Sequence, residues 1–84
     1  MHSVDILDDA LRLAMNSGVE VRQEWLNEKG GGLCRIGKRQ VLFVDLSLTA
    51  SEQLDQVLND LRRMPQLNID MSYSDELVRK LSEA

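Results

Sequence analysis

Residues 30–64 read GGGLCRIGKRQVLFVDLSLTASEQLDQVLNDLRRM, and this stretch decides the fold of the chain. It opens with three glycines and continues as two short apolar segments, 33–36 and 40–46, separated by a Gly37-Lys38 pair. Glycine tolerates the positive φ at the first position of a type II′ turn. The stretch therefore predicts a tight β-hairpin.

The second half of this stretch predicts an amphipathic helix. Thr49 is followed three residues later by Glu52, the spacing of a capping box in which two backbone N–H groups of the first turn find side-chain acceptors. Pro65 ends the helix, because the residue before a proline is pushed out of the helical region. The apolar stripe of this helix consists of Ala50, Leu54, Val57, Leu58 and Leu61, and the residues left for solvent include Gln53 and Gln56.

The flanking segments complete a small α+β domain. Helical spacing of apolar residues over 3–17, with Gly18 as the stop, predicts a first helix, and alternation over 19–26 predicts a strand. Residues 66–73 fit either a fourth strand or an extended connection, and 75–82 fit a short helix. We therefore expect one domain over residues 1–84, of order α-β-β-β-α-(β)-α. Its small antiparallel sheet of three or four strands carries the two main helices on one face and is followed by a short C-terminal helix.

The strand over 40–46 is apolar on both faces, since Val41 and Phe43 point one way while Leu42 and Val44 point the other. A strand of this kind is normally covered on both sides. The favoured interpretation is that residues 67–81 fold back and close the second face. The alternative is a surface for a protein partner or a homodimer, built on Val19, Val21, Val41 and Phe43.

Composition excludes several classes of partner. The net charge of −4 disfavours the phosphate-neutralising surface that nucleic-acid binding requires. The longest apolar run, 41–44, is far shorter than the roughly twenty residues of a membrane span. The acidic N-terminal segment and the single cysteine indicate a cytoplasmic protein without an internal disulfide. A bacterial type of protein is a separate expectation.

In its order of elements the chain resembles the double-stranded-RNA-binding domain, which also has a helix, three antiparallel strands and a second helix. The resemblance is one of topology. In that family a lysine cluster at the start of the second helix grips phosphates, whereas here residues 48–53 read LTASEQ. The RNA-binding residues are therefore not carried over.

Catalytic chemistry finds little support in the sequence. One histidine, His2, and one cysteine, Cys34, do not make a zinc site or a nucleophile–base pair, so we expect neither an enzyme nor a metal or other cofactor. Cys34 in a strand is more often a small buried hydrophobe than a reactive thiol. Asp45 ends an apolar strand, where it either faces a cleft or caps the turn into the next helix.

The best-supported function is thus a non-enzymatic interaction or assembly module. A second hypothesis is a small-molecule or anion binder. Its candidate residues are the glycine run and the neighbouring cysteine and cations: Gly30, Gly31, Gly32, Cys34, Arg35, Lys38 and Arg39. Because the glycines lead into a strand and not a helix, a flexible connection between strands is the more common interpretation of that run.

Overall fold

The computed structural model describes residues 3–27 and 30–83. Helix α1 is Ser3–Asn16, and strands β1, β2 and β3 are Val19–Glu24, Gly32–Ile36 and Arg39–Asp45. Helices α2 and α3 are Ala50–Arg62 and Asp75–Ser82. The predicted α+β class and the order of elements are confirmed.

Local sequence signals fix the ends of these elements. Gly18 stops α1 with a φ of +90°, and Gly37 opens the β2–β3 turn with a φ of +62°. The capping box of α2 is complete, because Glu52 N–H donates to Thr49 Oγ1 at 3.2 Å and Thr49 N–H donates to Glu52 Oε1 at 2.9 Å. These three turn and cap predictions are confirmed.

The sheet is mixed, which corrects the prediction of an antiparallel sheet. Its strand order is β1-β3-β2, with β2 antiparallel to β3 but β1 parallel to β3. After β1 the chain crosses to the far edge as β2, and the hairpin then turns β3 into the space between them. The central position suits β3 because it is the most apolar strand and has buried residues on both faces.

The two faces of the sheet have different surroundings. The inner face carries Leu42 and Val44 of β3 beside Val19 and Val21 of β1, and α1 and α2 pack on it. Helix α2 contributes Leu54, Val57, Leu58 and Leu61 to this core as predicted. The prediction that Gln53 faces solvent is wrong. Gln53 is buried, and its Nε2 donates to Leu48 O at 2.9 Å.

Residues 66–73 form the extended connection and not a fourth strand. Asn68 ties this connection to the end of α1, since its backbone N–H donates to Ser17 Oγ at 3.0 Å and its amide donates to Asn16 O at 2.8 Å. The buried Tyr73 accepts a hydrogen bond from Asn16 Nδ2 at 2.7 Å. The tail is therefore fastened to the helical layer.

Helix α3 also belongs to the helical layer, because it packs against α1 and α2. Asp9 of α1 accepts from Ser74 N–H at 2.9 Å and from Arg12 Nη2 at 2.7 Å. Burial alone would raise the pKa of Asp9, but these hydrogen bonds outweigh it and hold the pKa below its ordinary value. The tail closes the core from the helix side, so the prediction that residues 67–81 cover the second sheet face is wrong.

The mixed sheet also removes the topological resemblance to the double-stranded-RNA-binding domain, which rested on three antiparallel strands. Within residues 3–27 and 30–83, no helix has the length and apolar character needed to cross a bilayer. Candidate positions for a site in this fold are the sheet face opposite the helices and the two ends of the β2–β3 hairpin.

Candidate functional site

The face opposite the helices, here called the outer face, is defined by the strand register. One row of residues from each strand lies on it. These are Glu20, Arg22 and Glu24 from β1, then Arg39, Val41, Phe43 and Asp45 from β3, then Gly32, Cys34 and Ile36 from β2. The face is an apolar strip along β3 and β2, bordered by charged side chains of β1.

Exposure varies sharply along this strip. Val41 is only 1% exposed although it lies outside the core cluster, and its register neighbours on the face are Glu20 and Cys34. Phe43 is half-buried, whereas Ile36 is 48% exposed. The apolar groups open to a partner are therefore Phe43, Cys34 and Ile36, with Val41 beneath them.

Two residues predicted for this surface lie elsewhere. Val19 pairs in register with Gln40 and Val21 with Leu42, which places both valines on the inner face. Val19 belongs to the core and Val21 packs against it. The inward position of the two valines follows from the parallel pairing of β1 with β3. The alternation of apolar residues along β1 does not by itself reveal this pairing.

Charged side chains on the outer face pair within the face. Arg22 Nε lies 2.9 Å from Glu24 Oε2, and Arg39 Nη1 lies 3.7 Å from Glu20 Oε2. All four side chains are well exposed, so these ion pairs contribute little stability. They are free to exchange partners when another charged group approaches.

Cys34 is exposed on the outer face, which corrects the prediction of a buried small hydrophobe. The reason is its place in β2, an edge strand whose outer-face row lies on the side of the sheet opposite the helical layer. A reactive role for its thiol stays a prediction. Trp25, just after β1, is 71% exposed, and no signal in the sequence distinguished it from a buried aromatic.

The glycine end of the β2–β3 hairpin, residues 30–32, is shaped by close packing. A Cβ at Gly31 would lie 2.5 Å from Phe43 O and would also overlap the Gln56 side-chain amide. Gly30 and Gly32 have φ values of +101° and +124°, which side-chain-bearing residues rarely adopt. Each glycine thus has its own structural reason to be there.

Asp60 of α2 lies against this glycine end and is only 7% exposed. Burial raises its pKa, and the opposing influences are the nearby Arg63 charge and a hydrogen bond donated by Leu33 N–H. Among the described residues, Asp60 Oδ2 and Gln56 Oε1 are buried without a hydrogen-bond partner. The helical stripe assigned Gln56 to solvent and left Asp60 unassigned. Their surroundings come from distant parts of the chain, since Gln56 Nε2 donates to Phe43 O of β3 at 2.9 Å and Asp60 lies beside Gly32 of β2.

Asp60 also covers part of the free edge of β2. Because Leu33 N–H donates to Asp60, this N–H points away from β3 toward the free edge of the sheet. The N–H groups alternate along an antiparallel ladder, so the backbone N–H of Arg35 points to the same free edge. An acceptor placed on an edge N–H hinders pairing with another strand. The β2 edge is therefore guarded at Leu33.

Asp45 has a structural role. It is 1% exposed, and its Oδ1 accepts from Leu26 N–H at 3.0 Å, Ser47 N–H at 2.9 Å and Ser47 Oγ at 2.6 Å. It joins the loop after β1 to the turn before α2. Of the two interpretations of Asp45, the structure supports the turn cap.

The other end of the hairpin contains an open cavity of about 450 Å³, here called the turn-end pocket. Its lining is Gly18, Glu20, Arg35, Lys38, Arg39 and Gln40. The pocket unites the three predicted hairpin cations. It does not include the glycine run, since Gly32 pairs with Phe43 while Ile36 pairs with Arg39 at the opposite end of β2. The prediction of a single ligand edge formed by both groups is corrected.

Within the described ranges, no group of three or more histidine, cysteine, aspartate or glutamate side chains is arranged to hold a metal ion. The described residues offer two candidate binding regions, the outer face and the turn-end pocket. Comparison with protein-family models, curated proteins and solved structures finds no match to this chain.

Proposed function

We propose that this domain is a non-enzymatic assembly module that forms a homodimer through the outer face of its sheet. The observation that supports the proposal is the position of the tail, which packs on α1 and α2 and leaves Cys34 and Ile36 exposed and Phe43 half-buried on the other side. Its cytoplasmic location and bacterial type stay predictions.

The charges of β1 favour a second copy as the partner. Glu20 and Arg22 are neighbours on the outer face, in register with Val41 and Phe43. Consider a two-fold axis that lies in the interface, runs perpendicular to the strands and passes midway between the Glu20 and Arg22 levels. Rotation about this axis places Glu20 opposite Arg22 of the partner subunit, and it places Arg22 opposite the partner subunit's Glu20. The same axis sets Phe43 over Val41 of the partner subunit. The face is thus complementary to itself, as an isologous interface requires.

Pairing of two β2 edges is the competing mode of dimerisation. It would build a continuous sheet from both copies, but it must displace Asp60 from Leu33 N–H. Displacement would leave a buried carboxylate without that donor, which is unfavourable. Face-to-face stacking leaves the Asp60 contact intact, so we favour it.

The size of the face predicts a weak dimer. Strands of 6, 5 and 7 residues, at about 3.3 Å per residue and about 4.8 Å apart, give a face of roughly 20 by 14 Å. Stable interfaces bury about 800 Å² of accessible surface on each partner. The outer face lies below that size, and we expect dissociation in the micromolar range or weaker.

A charge exchange tests the two-fold arrangement. Glu20→Arg and Arg22→Glu each place like charges opposite each other, and each is expected to abolish the dimer measured by sedimentation equilibrium. The double variant restores opposite charges and is expected to restore the dimer. Asp55→Arg on the exposed side of α2 is the matched control. A parent protein that stays monomeric at millimolar concentration contradicts the proposal.

An apolar variant tests the centre of the face. Phe43→Asp is expected to give a folded monomer, checked by circular dichroism and by sedimentation. Met71→Asp, at a fully exposed position of the tail, makes the same chemical type of change away from the face. If Met71→Asp dissociates the dimer and Phe43→Asp does not, the interface lies on the tail and the proposal is wrong.

A further inference from the structure

The turn-end pocket concentrates positive charge on an acidic protein. The chain has a net charge of −4, yet Arg35, Lys38 and Arg39 line one cavity in which Glu20 is the acidic member. The pocket lining therefore carries a net charge of +2, from three cations and one carboxylate. Such local reversal attracts anions even when the protein as a whole repels them.

Existing contacts hold these cations only weakly. Arg35 Nε donates to Gly37 O at 3.4 Å, and Arg39 Nη1 lies 3.7 Å from Glu20 Oε2. Good hydrogen bonds between N–H and oxygen are about 2.7–3.2 Å long. An oxyanion bound in the pocket would replace the long contact of either guanidinium group by a short, charge-assisted one.

From this geometry we propose that the turn-end pocket binds a small phosphate ester. The net charge of the lining matches a phosphate monoester, which carries roughly −1.5 to −2 at neutral pH. The volume of about 450 Å³ falls in the range of small-ligand pockets, about 300–1,000 Å³, and leaves room beside the phosphate for the esterified group. Gln40 supplies an amide for that group, and Gly18 places no side chain in the space.

The ligand contacts follow from the lining. Arg35 and Lys38 bind the phosphate oxygens, and Arg39 joins them when the ligand competes with Glu20. Glu20 opposes binding, because its carboxylate repels the ligand and occupies Arg39. This inference is separate from the proposed dimer, although Glu20 and Arg39 belong to both regions.

The test is a titration of ¹⁵N-labelled protein with inorganic phosphate and with glycerol phosphate, followed by NMR at constant ionic strength maintained with chloride. Saturable shifts are expected at the amides of Gly18, Lys38 and Gln40, with glycerol phosphate binding more tightly. Arg35→Gln combined with Lys38→Gln is expected to weaken binding about tenfold or more, from the loss of two charges near the ligand.

Two matched variants make the result decisive. Arg79→Gln combined with Lys80→Gln removes the same two charges from α3 and is expected to leave the affinity unchanged. Glu20→Gln is expected to tighten binding about threefold, the effect of one opposing charge a few ångströms away in water. Equal weakening in both double variants, or shifts that do not saturate, would overturn the proposal.

Repeating the titration with Phe43→Asp separates this proposal from the dimer. Phosphate binding that persists in that variant shows that the pocket functions in the monomer. Binding that disappears while the variant stays folded shows that the pocket needs the dimer, which contradicts the inference as stated.

Discussion

The β2–β3 hairpin has two glycine-containing ends that differ in almost every physical respect. At the glycine end, Gly31 lies in contact with Phe43 O and Gln56, and Asp60 of α2 packs beside it. At the turn end, Gly37 has open space around it and the neighbouring cations are exposed. One end is fixed by packing, whereas the other is available for binding.

The comparison separates two reasons for which a chain uses glycine. Gly31 does not have a positive φ, so its role is to allow the backbone of β3 and the Gln56 side chain to approach closely. Gly37 has a φ of +62°, and a Cβ at this position would meet no atom within 4 Å, so its role is conformational. The two roles are expected to respond differently to mutation.

The largest effect is expected at the glycine end. Gly31→Ala forces a methyl group against the backbone of β3, and we expect a loss of about 2–3 kcal/mol in the free energy of unfolding. That is a large fraction of the stability of a small domain. Urea unfolding followed by circular dichroism measures it. Adding Gln56→Ala removes one of the two obstacles and is expected to recover part of the loss, as a double-mutant cycle would show.

The matched change at the turn end is expected to be milder. Gly37→Ala meets no steric obstacle and is expected to lose about 1 kcal/mol, the penalty of a left-handed conformation. Gly37→Asn is expected to lose less, because asparagine tolerates that region. If Gly37→Ala destabilises the protein more than Gly31→Ala, the contrast between the ends is wrong.

Much of the fold could be predicted because its signals are local. The capping box at Thr49, the stop at Gly18 and the turn at Gly37 each depend on residues only a few positions apart. The order of the elements follows from such signals and is confirmed. Core residues such as Leu42 of β3 and Leu54 of α2 were also identifiable, since their periodicity reflects the face that is buried.

What the sequence did not reveal depends on distant pairing. The parallel alignment of β1 with β3 joins residues about twenty positions apart, and no turn signal reports it. The inward position of Val19 and Val21 follows from that alignment. The burial of Asp60 likewise depends on β2, and an acidic residue on a helix is ordinarily expected to face solvent.

A smaller effect is expected from neutralising the buried carboxylate at the glycine end. Burial raises the pKa of Asp60, so the folded state binds its proton more tightly than the unfolded state. The stabilising contribution of this group is therefore lost as the pH rises from 3.8, the ordinary pKa of an aspartate, through the raised pKa of Asp60 in the folded state. Asp60→Asn removes this loss and places an amide donor one helical turn from Gln56, whose Oε1 is buried without a hydrogen-bond partner.

We expect Asp60→Asn to be as stable as the parent at neutral pH, or more stable by roughly 1 kcal/mol. The difference from the parent is expected to shrink or change sign toward pH 3. Asp55→Asn, an exposed change on the same helix, is the control and is expected to show no such trend. Clear destabilisation by Asp60→Asn at neutral pH would mean that the ionised carboxylate is well satisfied.

The smallest effect is expected at the turn end. Arg35→Gln combined with Lys38→Gln removes two exposed cations that stand beside a third, and the change in unfolding free energy is expected to stay within about 0.5 kcal/mol. Its sign is informative. Relief of like-charge repulsion predicts slight stabilisation at low salt that vanishes at high salt, where the Debye length falls to about 3 Å. Thermal unfolding at two salt concentrations measures this, and a marked loss of stability would show that the cations hold the turn together and that this end is not open for binding.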